Sequence, residues 1–250
     1  KRAEEMINAA NYELANNADQ WRKATNPLVQ NPPLNISYPA TPPPIPVRYV
    51  LVGVYFHRDD DTYQQIKTAQ AIYNQYAVDK ANTINIFNTV PPGYPATAVG
   101  SGFANAFGGS VKYVFMYDYN IYIKPLCRDW SIRLAASLLN HEIGHALSLH
   151  HTWYGPDYCD DTPTGFVFDR KDAAYPNGCA QNDFANCWDF NDGPAICPGS
   201  TNLPCDAVYK VSNNVMDYNA HYGLHAYTTC QIGRINNDLG GGGNMFIHSC

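Results

Sequence analysis

The stretch His141-Glu142-Ile143-Gly144-His145-Ala146-Leu147-Ser148-Leu149-His150-His151 decides how the rest of the chain is read. On a helix, His141 and His145 stand one turn apart and face the same way, so two imidazole nitrogens can grip one ion. Glu142 lies about 100° round the helix from His141, beside the ion rather than on it, where it can hold a water. His151 follows His145 by six residues and can close a tripod of nitrogens with one coordination position left open. His150 competes for that role, but the spacing favours His151. Three nitrogens and an open corner suit a catalytic zinc rather than a structural one. Four of the eight histidines fall within these eleven residues, and histidines that merely packed into a core would have no reason to gather there.

Upstream, Asp129 or Ser131 can cap the helix that carries the histidines. Ile132, Ala135, Ala136, Leu139, Ile143, Ala146 and Leu147 form one apolar stripe along it, and His141 and His145 fall roughly opposite, in line with Leu134 and Leu138. Such a helix is expected to be buried on one side by a sheet and on the other by a metal cleft.

Before it, the run VRYVLVGVYF from Val47 to Phe56 is nearly all apolar, as expected of a strand buried on both faces. A helix is expected next, capped by Asp61 with Gln64 or Thr62 with Gln65, with the stripe Tyr63, Ile66, Ala69, Ile72, Tyr73, Tyr76 and Ala77. Thr83 to Phe87 and Val111 to Tyr117 read as further strands, and GFANAFGG, from Gly102, as an edge strand and turn. The strand–helix–strand order predicts a twisted, mostly parallel sheet backed by helices.

The first 25 residues carry Met6, Ile7, Ala10, Leu14, Ala18 and Trp21 at helical intervals, and a proline-rich stretch through Pro46 follows. This segment reads as a strap or linker, with the remnant of an inhibitory pro-segment as the alternative; no cysteine in it could cap a zinc. After His151 the chain turns rich in Asp, Asn, Gly, Pro and Cys, which predicts a loop-rich, disulfide-pinned lobe. Thr228 and Gln231 have capping-box spacing ahead of a helix through Leu239, where Gly240 to Gly243 stops it. The organisation expected is residues 1–46 as N-terminal helix and linker, 47–151 as an upper catalytic lobe and 152–250 as a lower one.

At 250 residues and 45% hydrophobic content the chain can bury one sizeable core around a cleft. A net charge of -6 with no basic tract argues against a nucleic-acid partner. The longest apolar run is too short to span a membrane, so no membrane partner is expected. None of the eight cysteines precedes Cys127, five crowd the stretch from Cys159 to Cys205, and no pair has zinc-ribbon spacing. Disulfides are therefore expected, and with them a secreted, extracellular protein, whose opening at Lys1 without a signal segment fits a processed product.

The pattern HExxHxxxxxH, followed by Asn214-Val215-Met216-Asp217-Tyr218, resembles the metzincin clan of zinc metallopeptidases, and within it the pappalysin family. HEIGHALSLHHTW, CDDTP, NVMDY and YTTCQIGR all have counterparts there, and GFANAF resembles the substrate-binding edge strand more loosely. The resemblance spans about residues 47–240 and implies an α+β fold whose sheet has an antiparallel edge strand, with a backing helix and the histidine helix. It implies that Met216 sits in a tight turn beneath the metal as a hydrophobic floor. It also implies that Tyr218 donates to the negative charge developing on the substrate. Ser148 stands where the family has a glycine, so a left-handed backbone there would cost on the order of 1 kcal/mol. The cluster Asp157, Asp160, Asp161 and Thr162 resembles a segment associated with calcium; a solvated acidic turn is the equal alternative.

Together these readings predict a secreted zinc-dependent endopeptidase. His141, His145 and His151 hold the ion, Glu142 is the general base, Tyr218 the oxyanion donor, and a protein or peptide the substrate. A monomer is expected. The rival from another class is a catalytically inactive metzincin-like binding module or adhesin, against which the retention of Glu142 speaks. A zinc hydrolase acting on non-peptide amides is a further alternative.

Overall fold

The computed structural model describes residues 1–20, 42, 45, 47–64, 66–89, 102–104, 113–116, 128–151, 157–162, 214–216 and 226–240. Its elements in chain order are helices α1 (Arg2–Ala15) and α2 (Asn17–Gln20), α3 (Asp60–Tyr63) and α4 (Ala69–Tyr76), strands β1 (Asn85–Asn88), β2 (Gly102–Ala104) and β3 (Tyr113–Met116), and helices α5 (Arg128–Ala146) and α6 (Thr229–Gly240). The architecture is mixed helix and strand, as expected.

The strands form one sheet in the order β1-β3-β2. β1 runs parallel to β3 with Ile86 opposite Val114, and β2 runs antiparallel to it with Phe103 opposite Phe115. Strand β3 is buried along its whole length, and its side chains divide by the two-residue period of a strand. Val114 and Met116 pack into one core with α1 and α5, while Tyr113 and Phe115 pack with Ile72 and Tyr73 of α4 on the other face. Stacked rings tie that second face together: Tyr73 lies 4.8 Å from Tyr113, and Phe87 lies 5.1 Å from Phe115. The result among the described residues is a sheet sandwiched between α4 and the α1–α5 pair.

Helix α5 is buried all round from Ala135 to Ala146. Helix α1 covers part of it. Ile7, Ala10 and Leu14 join the main core, and the buried Glu13 carboxylate accepts from Ser137 Oγ at 3.0 Å and Asn140 Nδ2 at 2.9 Å. A buried carboxylate is costly unless donors surround it, so this pairing fixes α1 in register on α5.

Two expectations fail. The run 47–56 forms no strand: Val47, Tyr49 and Leu51 pack on the core, but Val50 is 77% and Val52 73% exposed. At Tyr49 the backbone is held by an amide side chain instead of a ladder. Asn11 Nδ2 donates to the Tyr49 carbonyl at 2.9 Å, and the Tyr49 N–H donates back to Asn11 Oδ1 at 2.7 Å. Only one face of residues 47–51 is covered and residues 52–56 are exposed throughout, so the apolar run overstates its burial. The helix expected across 61–77 is also broken in two. Asp59 caps α3 through the Thr62 N–H, and Thr68 caps a fresh start at α4 through the Ala71 N–H. Lys67 closes the gap by pairing with Asp59 at 2.5 Å, and this leaves Tyr63 and Ile66 exposed rather than in the core.

At the other end of the chain the capping box forms as expected. Gln231 N–H donates to Thr228 Oγ1 at 3.3 Å and Thr228 N–H donates to Gln231 Oε1 at 2.9 Å. Cys159 and Cys230 form a disulfide that ties the 157–162 turn to the first turn of α6. No helix among the described residues is long and apolar enough to cross a membrane.

Candidate metal centre

The last two turns of α5 and the chain just beyond them bring three imidazoles together. Nε2 of His145 lies 3.0 Å from Nε2 of His141 and 3.0 Å from Nε2 of His151, and the third edge of the triangle is 3.2 Å. Metal–nitrogen bonds of about 2.0–2.1 Å at tetrahedral angles place ligand nitrogens about 3.3–3.4 Å apart, so the triangle is within a few tenths of an ångström of a tetrahedral base. His150 does not take part; its ring meets Tyr158 edge-on at 5.3 Å. The spacing argument for His151 over His150 therefore agrees with the geometry.

The outer nitrogens explain why the rings point this way. His141 Nδ1 donates to the Val215 carbonyl at 2.7 Å, and His145 Nδ1 donates to the Leu149 carbonyl at 2.8 Å. A carbonyl can only accept, so both Nδ1 atoms carry hydrogen and each neutral ring turns a bare lone pair inward. Lone pairs at 3.0 Å repel unless a cation sits among them. Burial makes a proton a poor choice, because it pushes His145 down to about 4. The buried His141–His145–His151 cluster can hold a metal ion.

Local backbone chemistry builds the turn between the second and third ligands. Leu149 N–H donates to the Gly144 carbonyl and Ser148 N–H to the His145 carbonyl, both at 3.0 Å, the paired bonds of a Schellman helix end. Ser148 at its apex has φ 69°, the left-handed conformation that glycine adopts without strain. The serine expected to be strained there is so, and the turn it makes delivers the Leu149 carbonyl to His145.

Met216 is fully buried beneath α5. A Cβ on Gly144 would lie 2.6 Å from its Sδ, so the absence of a side chain at 144 lets the thioether come up against the helix. Asn214 shapes the turn before it by accepting the Met216 N–H at 2.8 Å, and its amide pairs reciprocally with that of Gln231. Val215 N–H is held by the Ala226 carbonyl at 3.1 Å, so the same short segment that places Met216 also presents the Val215 carbonyl to His141. Tyr227 completes the support by donating its hydroxyl to the Asn140 carbonyl at 2.6 Å.

Glu142 is 4% exposed, and burial raises its carboxyl to about 8. Positive charge beside it would favour the ionised form. Tyr218 lies outside the described residues, as does Asp217. In the acidic cluster, Asp157 and Asp161 face donors of the chain itself: Asp157 accepts from the Cys159 N–H and from Thr162, and Asp161 accepts from Thr228 Oγ1 at 2.6 Å and Cys230 N–H at 2.9 Å. Asp160 is exposed. Asp157 and Asp161 hold the turn and the start of α6.

The Val215, Leu149 and Tyr227 contacts were not anticipated from the sequence, because a carbonyl has no side-chain signature. A groove of about 530 Å³ between α1 and residues 45–48 is lined by Asn8, Asn11, Tyr12, Ala15, Ile45, Val47 and Arg48, none of them a ligand or base for this chemistry. No family model, curated protein or solved structure matches the chain.

Proposed function

We propose that the chain is a secreted zinc-dependent endopeptidase of metzincin type, with His141, His145 and His151 holding the ion. The observation that carries this reading is the triangle of Nε2 atoms 3.0–3.2 Å apart with two Nδ1 atoms already committed to carbonyls. Nitrogen ligands at that spacing suit zinc, and oriented outer hydrogen bonds are the usual accompaniment of metal-ligating histidine. A zinc ion held there lowers the pKa of a water and polarises a carbonyl.

Glu142 takes a proton from the attacking water and passes it to the departing amine nitrogen. Tyr218 donates its phenol hydrogen to the charge developing on the carbonyl oxygen, a role that rests on the resemblance alone. Substrate backbone pairs with the edge strand around β2, which leaves side-chain identity largely unread. Met216 forms the floor under the ligands, and the Cys159–Cys230 bridge suits an extracellular setting.

The test compares wild type with Glu142→Ala on a protein substrate library, with zinc content measured in both. Unchanged zinc and lost cleavage are expected. Equal cleavage by the variant removes Glu142 from the mechanism, and a wild type that binds zinc without cleaving any substrate favours the binding-module reading.

A further inference from the structure

A serine held left-handed requires something to hold it, because only glycine adopts that conformation freely and a side chain there costs on the order of 1 kcal/mol. At Ser148 the holding groups come from α6, far along the chain. Asp238 Oδ1 accepts from Ser148 Oγ at 2.8 Å, and Arg234 Nη2 donates to the Ser148 carbonyl at 2.8 Å. Arg234 and Asp238 are four residues apart and so share one face of α6. The Arg234 guanidinium is itself steadied over the Tyr158 ring, 5.2 Å from its centroid.

We propose that Arg234 and Asp238 are positioning residues for the metal centre, acting through Ser148; the inference rests on the three-histidine metal reading. One grips the serine side chain and the other its carbonyl, so together they fix both the rotation and the direction of the turn. Two consequences reach the ligands. The turn sets the Leu149 carbonyl 2.8 Å from His145 Nδ1, and it aims the chain so that His151, two residues later, meets the other two rings. The serine hydroxyl at this apex gives Asp238 a handle on the site that glycine would lack.

The test measures zinc affinity by competition, and the visible spectrum of the cobalt-substituted protein, in the full chain. Asp238→Ala is expected to weaken zinc binding about tenfold and alter the cobalt spectrum, and Arg234→Ala to do likewise. Asp238→Asn, which keeps an acceptor oxygen, should bind nearly as wild type. The decisive arm is Ser148→Gly with Asp238→Ala: glycine takes the left-handed turn unaided, so most of the lost affinity should return. Wild-type affinity and spectrum in a folded Asp238→Ala variant would overturn the proposal. So would a double variant as weak as Asp238→Ala alone, which would make Asp238 a general stabiliser. A wild-type chain that takes up neither zinc nor cobalt overturns the metal reading itself, a result distinct from normal wild-type uptake with indifferent variants.

Discussion

His141 donates its Nδ1 hydrogen to the carbonyl of Val215, 74 residues along the chain and immediately before Met216. One short segment therefore supplies both the orientation of a candidate ligand and the thioether beneath the helix. The ligands depend on partners that a reading of side chains passes over.

The dependence on the three rings is direct. His145→Ala or His151→Ala should abolish stoichiometric zinc uptake, because two nitrogens remain where three are needed. His150→Ala should retain it, since that ring faces Tyr158. Metal content after dialysis is the measurement, and zinc retained by His151→Ala would return the third-ligand role to another group.

Gly144 is expected to tolerate no side chain. Alanine there would place its Cβ 2.6 Å from Met216 Sδ, and the thioether is fully buried with little room to retreat. Overpacking of this kind costs about 1–3 kcal/mol. Urea unfolding of Gly144→Ala should show that loss, together with weaker zinc binding as the helix lifts off its floor. Unchanged midpoints would mean that Met216 repacks freely.

Protonation should shape the stability of the chelator-treated protein. Glu142, raised by burial to about 8 from 4.5, keeps its proton in the folded state while the unfolded chain loses it, so stability falls as pH rises from 4.5 to 8. His145, lowered by burial to about 4 from 6.5, works the other way, and stability falls as pH drops from 6.5 to 4. The two slopes oppose each other between pH 4.5 and 6.5. Above 6.5 the His145 contribution is complete while that of Glu142 continues, and Glu142 should remove about 2 kcal/mol by pH 8. Glu142→Gln should flatten that decline; an unaltered slope in the variant would assign it to another group.

The Cys159–Cys230 bridge closes a loop of 71 residues. Chain-entropy arguments give such a cross-link about 4 kcal/mol. Replacing both cysteines by serine should lower the unfolding free energy by about that amount. It should also loosen the start of α6, where Asp161 holds the Thr228 hydroxyl and the Cys230 N–H. Hydrogen exchange at residues 228–231 provides the local measurement.

The candidate centre was legible in the sequence because its spacing is local: His141, His145 and His151 span eleven residues, and helix geometry plus one turn places them. The left-handed turn at Ser148 was suggested only by the resemblance, through a serine standing where the family has glycine, and not by spacing. The partners were less legible. Asn11 bracketing Tyr49, Glu13 reaching Ser137 and Asp238 gripping Ser148 join residues 38, 124 and 90 positions apart, and nothing local encodes such pairings. The run 47–56 misled because apolar content reports what a segment can bury, while only the part around Tyr49, tethered to Asn11, lies on the core and residues 52–56 stay in solvent. The helix across 61–77 was cut by the Thr68 cap, a signal present in the sequence but weaker than the apolar stripe that ran through it.

The first helix bears on how such a protein could be matured. Glu13 is locked onto Ser137 and Asn140, and Asn17 clasps the Tyr227 backbone through both its amide atoms, at 3.0 and 2.7 Å. A processing enzyme that clipped away residues 1–20 would strip the cover from the back of the histidine helix and release the tyrosine that steadies it. Trimming at that end should therefore silence the protein rather than awaken it.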